Sequence, residues 1–309
     1  MPVTDRKAYI ITGPTSGIGR AAAFELAKYG TVALVGRDSN KLKEMQATIE
    51  RHGQHAVSVV CDLSNIAGVR RAATEIVALR LPIAGLLNNA GVMQMRATTN
   101  ALGWDTTFAT NHLGPFALTE ALVPHLPDGA NVVFIGSATE NPEHKPAKTF
   151  GFRGGRYISV EASVRGEWQQ PGGSKMPGAD AYATSKQTIL AAALALARET
   201  PRLRINVVEP GFNPSTALGQ RDANAFVRLL SKFLVPVLVP LLRPFIKVLS
   251  TPKRAAQVIT TVLLHTSGAT GIYYDERGRP MAGSALARDP NFQDRVVAET
   301  RALLASVPA

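Results

Sequence analysis

The sequence is poor in cysteine and in charged residues. Cys61 is the one cysteine among 309 residues, so an intramolecular disulfide is excluded. The six histidines are scattered and form no Cys/His cluster with the spacing of a zinc site, so we expect no metal centre. Charged residues make up only 18% and hydrophobic residues 45%, a composition that excludes disorder as the main state.

Long apolar runs are also missing. The most apolar stretch is 226–249, but its longest uncharged run, 233–242, is well short of the roughly 20 residues that cross a bilayer. Prolines interrupt this stretch, and the N-terminal residues do not have the pattern of a signal peptide. The sequence therefore predicts a cytoplasmic protein without a transmembrane helix.

The net charge of +11 is compatible with nucleic acid, an anionic membrane surface or a phosphorylated ligand as partner. The basic residues are spread among predicted helices, only 6% of residues are aromatic, and no nucleic-acid-binding module is present, so nucleic acid is not expected. On a helical wheel, four basic residues of 226–249 share one face: Arg228, Lys232, Arg243 and Lys247. This segment is either a substrate lid that also contacts a membrane or an ordinary amphipathic core segment.

Short β-branched runs alternate with helical stretches over the first half of the chain, which predicts a parallel sheet wound through crossover helices. The strand candidates are Ala8–Thr12, Val32–Gly36, Ala56–Cys61, Ile83–Asn88 and Asn131–Gly136. The helix candidates between them are Gly17–Tyr29, Ser39–His52, Asn65–Leu79 and Asn100–His125.

The same pattern resumes after a polar, glycine-rich interruption, Ala138–Gly178. It comprises a helix at Ala181–Thr200, a strand at Arg204–Val208, a helix at Pro252–His265, a short strand around Gly271–Tyr274 and a helix at Pro290–Leu304. We therefore predict one α/β domain over 1–309, a Rossmann-like doubly wound parallel sheet with an insertion at 138–178 and a lid or apolar segment at 212–250.

A glycine-rich turn follows the first predicted strand and opens into a helix. Three glycines let the backbone turn tightly and approach a diphosphate, while the N–H groups at the helix start attract the anion. The position of this turn, between strand and helix at the start of the chain, favours a dinucleotide site over an ordinary structural turn. The residues predicted to hold the diphosphate are Gly13, Thr15, Ser16, Gly17, Ile18 and Gly19.

The end of the second strand indicates which dinucleotide binds. An acidic side chain there would hold the ribose 2′-hydroxyl of NAD, but the strand ends in Gly36 followed by Arg37. A guanidinium forms paired hydrogen bonds to phosphate, so Arg37 favours NADP(H). Because Asp38 follows at once, NAD(H) stays open as the alternative.

Tyr182 and Lys186 are four residues apart and hence share one helical face. Together with Asn88-Asn89-Ala90-Gly91 after the fourth strand, Asn111, Ser137 and Pro210-Gly211, they occur in an order that resembles the short-chain dehydrogenase/reductase family over about residues 8–215. The resemblance implies a Rossmann-like fold, a nicotinamide cofactor and hydride transfer to or from a carbonyl or alcohol.

The resemblance also implies a role for each of four residues. Tyr182 would be the acid/base, and Lys186 would favour its anion and hold the ribose. Ser137 would hydrogen-bond the substrate oxygen, and Asn111 would position a water that links Lys186 to solvent. The resemblance implies further cofactor contacts at Asp62, Leu63, Asn88, Asn89, Ala90, Gly91, Pro210 and Gly211, with an additional hydroxyl from Ser215 or Thr216.

Ser137 and Tyr182 are 45 positions apart, a longer separation than is usual in the family. The intervening segment contains Phe150, Phe152, Tyr157 and Trp168 and either covers a substrate or decorates the surface, with cover favoured. This segment and the C-terminal region are similar to the retinol-dehydrogenase and protochlorophyllide-reductase-like branch. That similarity implies NADP(H) and a bulky apolar substrate. The alternatives are an NAD-dependent alcohol dehydrogenase and a non-catalytic dinucleotide sensor; the oligomeric state is left open.

Overall fold

A parallel sheet forms the centre of the computed structural model, which describes residues 7–168, 172–212, 250–265 and 268–308. Within these residues the sheet has seven strands in the order β3-β2-β1-β4-β5-β6-β7, and every neighbouring pair is parallel. The strands are β1 (Ala8–Thr12), β2 (Thr31–Gly36), β3 (Ala56–Val60), β4 (Ile83–Asn88), β5 (Asn131–Ile135), β6 (Arg204–Val208) and β7 (Tyr273–Tyr274).

The helices lie on both faces of this sheet, so the predicted doubly wound α/β fold is confirmed. They are α1 (Gly17–Leu26), α2 (Ser39–Arg51), α3 (Ile66–Ala78), α4 (Thr106–Phe108), α5 (Gly114–Leu122), α6 (Lys145–Thr149), α7 (Val160–Val164), α8 (Ala179–Glu199), α9 (Pro252–Leu264), α10 (Ala285–Arg288) and α11 (Pro290–Ala305). A π-helical turn, Ala109–Leu113, lies between α4 and α5.

The two faces of the sheet bury separate hydrophobic cores. One core lies under α3, α5, α8 and α11, and the other lies under α1, α2 and α9. Every residue of β1 and β5 is buried, which explains why these strands are near-continuous apolar runs rather than alternating ones. Strand order reverses between β1 and β4, and in folds of this type ligands bind beside that reversal.

The predicted helix Asn100–His125 was wrong at its N-terminal end. The amide oxygen of Asn100 accepts the N–H groups of Leu102 and Trp104, and this closes a turn that includes Gly103 at φ +74°. The helix begins after Asp105, whose carboxylate accepts the N–H of Phe108 at 2.7 Å. The helical spacing of apolar residues extends back to Asn100, but the side-chain hydrogen bonds of Asn100 and Asp105 favour a helix that begins after Asp105.

The segment Ala138–Gly178 is divided between the surface and the core. In its second half, Val160 and Val164 are buried, and Trp168 packs against Phe108 with 6.1 Å between ring centroids. The hydroxyl of Tyr157 donates to Glu299 of α11 at 2.6 Å. This half is therefore part of the domain core, which neither the substrate-cover nor the surface-decoration interpretation anticipated.

Thr12, the last residue of β1, joins the glycine-rich turn to the loop after β4. Its buried hydroxyl oxygen accepts the backbone N–H groups of Asn89 at 3.0 Å and Ala90 at 2.9 Å. The Thr12 side chain thus extends the pairing of β1 and β4 into the loops that follow both strands.

Thr12→Val should lower the free energy of unfolding by about 2–4 kcal/mol, because it keeps the shape but removes the acceptor of two backbone N–H groups. Thr31→Val is the matched control. The Thr31 hydroxyl is buried in β2 without a hydrogen-bond partner among the described residues, so its loss should change stability by less than about 1 kcal/mol. Urea denaturation of both variants measures the difference, and equal losses would contradict the role of Thr12.

Candidate functional site

A cavity of about 470 Å³ opens at the carboxyl edge of the sheet, beside the reversal of strand order. Most of the predicted site residues line it: Gly13, Thr15, Ser16, Gly17, Ile18, Gly19, Arg37, Asp62, Leu63, Asn89, Ala90, Gly91, Tyr182, Lys186 and Pro210. Three more adjoin its wall, since Asn111 bonds to the lining residue Val92, Ser137 is within hydrogen-bonding reach of Tyr182, and Gly211 follows Pro210. Asn88 is not among the lining residues, because it is buried and its side-chain amide donates to the Thr119 hydroxyl at 2.9 Å. The structure thus brings the other predicted site residues that it describes together around one cavity.

The glycine-rich turn leaves no room for side chains at its centre. A Cβ atom at Gly19 would lie 2.1 Å from the Gly13 carbonyl oxygen and 2.4 Å from Nδ2 of Asn89. Gly13 and Gly17 have φ values of +68° and +53°, which L side chains rarely adopt. Asn89 closes the turn from the opposite side, because its Nδ2 donates to the carbonyl oxygen of Thr12 at 2.8 Å.

The N-terminus of α1 fits an anion. Ser16 precedes the helix, but its hydroxyl caps no N–H group, and the first turn carries no acidic residue. By contrast, α2 and α3 are capped by the side chains of Asp38 and Asn65. The first N–H groups of a helix have no intrahelical partners and carry a positive partial charge, so this uncapped end suits a diphosphate.

Arg37 is exposed at the end of β2 and lines the cavity. Its guanidinium makes no hydrogen bond or ion pair with the part of the chain that the structure describes. The adjacent Asp38 is engaged elsewhere, since its carboxylate accepts the Lys41 N–H at 3.1 Å and lies 3.2 Å from Lys41 Nζ. The hydrogen bond from the Lys41 backbone lowers the pKa of Asp38. The cavity wall at this point therefore presents two cations and one already paired carboxylate.

The end of β3 contributes Asp62 and Leu63 to the cavity wall. One carboxylate oxygen of Asp62 accepts both the N–H and the hydroxyl of Ser64, at 2.9 and 2.8 Å, which fixes the side chain. The preceding Cys61 is buried, and burial raises the pKa of its thiol to about 12. Cys61 is therefore a protonated wall residue rather than a nucleophile.

Asn111 lies in the π-helical turn and clamps three parts of the site. Its Oδ1 accepts the N–H of Val92 at 2.8 Å, and its Nδ2 donates to the Val92 carbonyl at 2.8 Å and to the Ser185 hydroxyl at 3.0 Å. The side-chain amide is thus occupied by protein contacts. The role predicted for Asn111, positioning a water next to Lys186, stays a prediction.

Helix α8 carries Tyr182 and Lys186 to the cavity. Its start is fixed by Gly178, where a Cβ atom would lie 1.9 Å from the Gln94 carbonyl oxygen. Lys186 is buried, and its Nζ donates to the carbonyl of Ile135, the last residue of β5, at 2.7 Å. The same nitrogen lies 5.7 Å from the centre of the Tyr182 ring. Burial lowers the pKa of Lys186 to about 8, against an opposing effect of the carboxylate of Glu209.

The Tyr182 phenol is held in its neutral form. Burial raises its pKa above the usual range, the negative charge of Glu209 raises it further, and a hydrogen bond with the Ser137 side chain lowers it. The Ser137 oxygen already accepts the hydroxyl of Thr139 at 2.9 Å. Its own proton is therefore available for Tyr182 or for a substrate oxygen.

Glu209, like Lys41, is a residue of the site that the sequence did not reveal. It follows β6 directly and is 7% exposed, and its two carboxylate oxygens accept the N–H groups of Ala138 at 2.9 Å and Gly211 at 3.0 Å. Burial raises its pKa to about 7. In the sequence, Glu209 is recognisable as an acidic residue between an apolar strand and Pro210-Gly211. An acidic residue at the end of a strand is usually exposed, so the sequence did not predict that Glu209 is buried.

One aromatic residue of the insertion contacts Tyr182, and a second one stacks on Phe212. Phe152 lies 6.2 Å from Tyr182 between ring centroids, and Phe150 stacks on Phe212 at 4.8 Å. Both members of the stacked pair are exposed, so they offer apolar surface. Phe150 and Phe152 come from the first half of Ala138–Gly178, and Phe212 comes from the loop after β6.

Several predicted features lie outside the described residues. They are Ser215, Thr216 and nearly all of 212–250, including the basic face at Arg228, Lys232, Arg243 and Lys247. In the ranges that the structure does describe, no helix has the length and apolar character needed to span a membrane.

Comparison with known proteins identifies relatives of the chain. A model of the short chain dehydrogenase family matches residues 7–146. A short-chain dehydrogenase/reductase of Armillaria gallica is 30% identical over 222 residues, which cover 70% of this chain and 67% of that protein. Human retinol dehydrogenase 13 is 26% identical over 307 residues, which cover 96% of this chain and 84% of that protein. Mouse polyprenol dehydrogenase is 38% identical over 149 residues, which cover 45% of this chain and 44% of that protein. The chain thus matches less than half of the length of this relative.

Solved structures show the same fold. A short chain dehydrogenase from Burkholderia cenocepacia, determined in complex with NADP, superposes with a TM-score of 0.62 at 22% identity and covers 88% of this chain and 97% of that one. The chain belongs to the short-chain dehydrogenase/reductase family.

Proposed function

We propose that the protein is an NADP(H)-dependent oxidoreductase that transfers hydride between the nicotinamide and a bulky apolar carbonyl or alcohol, with Tyr182 as acid/base. One observation carries this proposal. Tyr182 and Lys186 line the same cavity as the uncapped glycine-rich turn and Arg37. An anion-binding end and a proton-donating end would thus belong to one site.

The residues around the cavity suit each part of NADP(H). The N–H groups at the start of α1 would hold the diphosphate, and Arg37 with Lys41 would hold the 2′-phosphate. Asp62 retains one carboxylate oxygen for the adenine side, and Lys186 would reach the nicotinamide ribose. When bound, the nicotinamide supplies or accepts the hydride.

Tyr182 moves the proton that accompanies this transfer. During carbonyl reduction negative charge develops on the substrate oxygen, and the phenol gives its proton to that oxygen; during alcohol oxidation the phenolate takes the proton back. The buried Lys186 ammonium stabilises the phenolate left behind, and the Ser137 hydroxyl donates a hydrogen bond to the substrate oxygen. Donors that are held in place before the reaction would lower the reorganisation that accompanies it.

Aromatic surface supports an apolar substrate. The half-buried Phe152 lies 6.2 Å from Tyr182 between ring centroids, and Phe150 and Phe212 supply exposed ring surface two residues away from Phe152 and one residue beyond Gly211. Covering this surface with a bulky hydrocarbon group would gain binding free energy through the hydrophobic effect. We place the enzyme in the cytoplasm; contact of 226–249 with a membrane stays a sequence prediction.

Replacing Tyr182 by Phe removes the proton donor and should lower kcat by about 10²–10⁴-fold while NADPH still binds. The measurement is NADPH absorbance with a panel of bulky apolar aldehydes and ketones. Tyr157→Phe is the control, because that phenol bonds to Glu299 in the core and its loss should reduce stability but not kcat. NADPH binding without Tyr182-dependent turnover on any substrate would favour a dinucleotide sensor instead.

Replacing Arg37 by Leu should weaken NADPH binding by about 10–100-fold, because a charge-assisted contact of about 1.5–3 kcal/mol to the 2′-phosphate is lost. The affinity for NADH should hardly change. Arg20→Leu is the matched control, since Arg20 is exposed on α1 and packs over Phe24, outside the cavity. Fluorescence titration with both cofactors measures the ratio, and equal loss for NADPH and NADH would favour the NAD-dependent alternative.

A further inference from the structure

We propose that Glu209 is a positioning residue for the reaction, whose ionised carboxylate holds together the loops that follow β5 and β6 and so keeps Ser137 and Pro210 in place around Tyr182. This inference rests on the proposed function. The structure supplies two independent arguments for it, one from hydrogen bonding and one from the charges that surround the carboxylate.

The first argument is the bidentate contact. Strands β5 and β6 end side by side, with Ile135 paired to Val208, and a loop follows each strand. The Glu209 side chain bridges them, because one oxygen accepts the Ala138 N–H and the other accepts the Gly211 N–H. The backbone N–H of Glu209 is anchored in turn on the Tyr274 carbonyl at 2.8 Å. Each oxygen therefore restrains a different loop from one fixed point.

Both restrained loops carry proposed catalytic or cofactor contacts. Ala138 directly follows Ser137, whose hydroxyl is within hydrogen-bonding reach of Tyr182. Gly211 has φ +76° and directly follows Pro210, which lines the cavity. A shift of either N–H group relative to Glu209 would move the Ser137 hydroxyl or the Pro210 wall relative to α8.

The second argument is the set of charges around Glu209. Lys186 and Tyr182 face it from α8, Tyr273 faces it from β7, and Glu276 acts on it from beyond β7. Burial raises the pKa of Glu209 to about 7; the two N–H groups and Lys186 lower it, and Glu276 raises it. The carboxylate thus changes its charge within the working pH range of most enzymes.

Protonation changes what Glu209 can hold. The carboxylate accepts at both oxygens, whereas the neutral acid has one acceptor oxygen and one O–H donor. The donor would face an N–H group of Ala138 or Gly211, and that loop would lose its restraint. We therefore expect full activity with ionised Glu209 above about pH 7 and reduced activity below it.

Glutamine reproduces the neutral acid, because it also offers one acceptor and one donor. For Glu209→Gln, the ratio of wild-type to variant kcat should be near one at pH 5.5. It should rise to roughly tenfold or more at pH 8.5, with a midpoint near 7, since small displacements of positioning groups cost rate. NADPH absorbance across this pH range measures the ratio.

Asn206→Ala provides the matched control. Asn206 is a buried residue of β6 whose side chain also makes two contacts, accepting the N–H of Ile272 at 2.9 Å and donating to the Ala269 carbonyl at 3.0 Å. It does not titrate, so any loss of kcat in this variant should be the same at pH 5.5 and pH 8.5. This control separates a change of kcat that results from lost stability from a change that results from the charge of Glu209.

A readout independent of turnover follows from linkage. The raised pKa means that the folded protein holds the Glu209 proton more tightly than the unfolded chain does. The stability of the wild type relative to Glu209→Gln should therefore be greatest below about pH 4.5 and should fall as the pH rises through about 7. Urea midpoints at several pH values measure this change.

Three results would overturn these expectations in distinguishable ways. A kcat ratio for Glu209→Gln that stays constant with pH, as expected for Asn206→Ala, would reduce Glu209 to a structural residue and overturn the inference. An unchanged kcat at pH 8.5 would do the same. If the wild type itself lacks Tyr182-dependent turnover on every substrate, the proposed function fails, and the inference fails with it.

Discussion

A buried ammonium is the feature around which the site is organised. Lys186 is 4% exposed and reaches the end of β5, where it donates to the Ile135 carbonyl. Removing a cation from water costs several kcal/mol unless polar partners compensate. Here the partners are that carbonyl, the Tyr182 ring and the carboxylate of Glu209. Burial of the Lys186 ammonium therefore costs free energy, and the polar groups at the ends of β5 and β6 partly offset this cost.

The neighbouring polar groups gain their positions from the same arrangement. Asn111 ties the π-helical turn to Val92 and to Ser185, which is the residue before Lys186. Thr12 and Asn89 tie the glycine-rich turn to the loop after β4. The glycine-rich turn and the Tyr182–Lys186 side of the cavity are thus connected through hydrogen bonds at the carboxyl edge of the sheet. Burial strengthens these contacts, and it also places the pKa values of Lys186 and Glu209 near neutrality.

Sequence patterns predicted local features well and side-chain networks poorly. The bounds of β1 and β4 were as predicted, because short, mostly buried apolar runs flanked by polar or turn residues have few alternatives. The start of the helix before Asn111 was wrong, because the caps at Asn100 and Asp105 compete within the same periodic segment. Glu209 was missed because a buried carboxylate can be identified only from its hydrogen-bond partners, and one of them, Ala138, is 71 residues away in the sequence.

The sequence by itself determined the α/β fold, the glycine-rich turn and the spacing of Tyr182 and Lys186, because these depend on neighbours within one strand, turn or helix. The tertiary structure decided which charges are buried and what they contact. It also decided that the second half of 138–178 belongs to the core, and that Asp38 is paired while Arg37 lines the cavity. Such outcomes depend on contacts between residues far apart in the chain, and local periodicity carries no information about them.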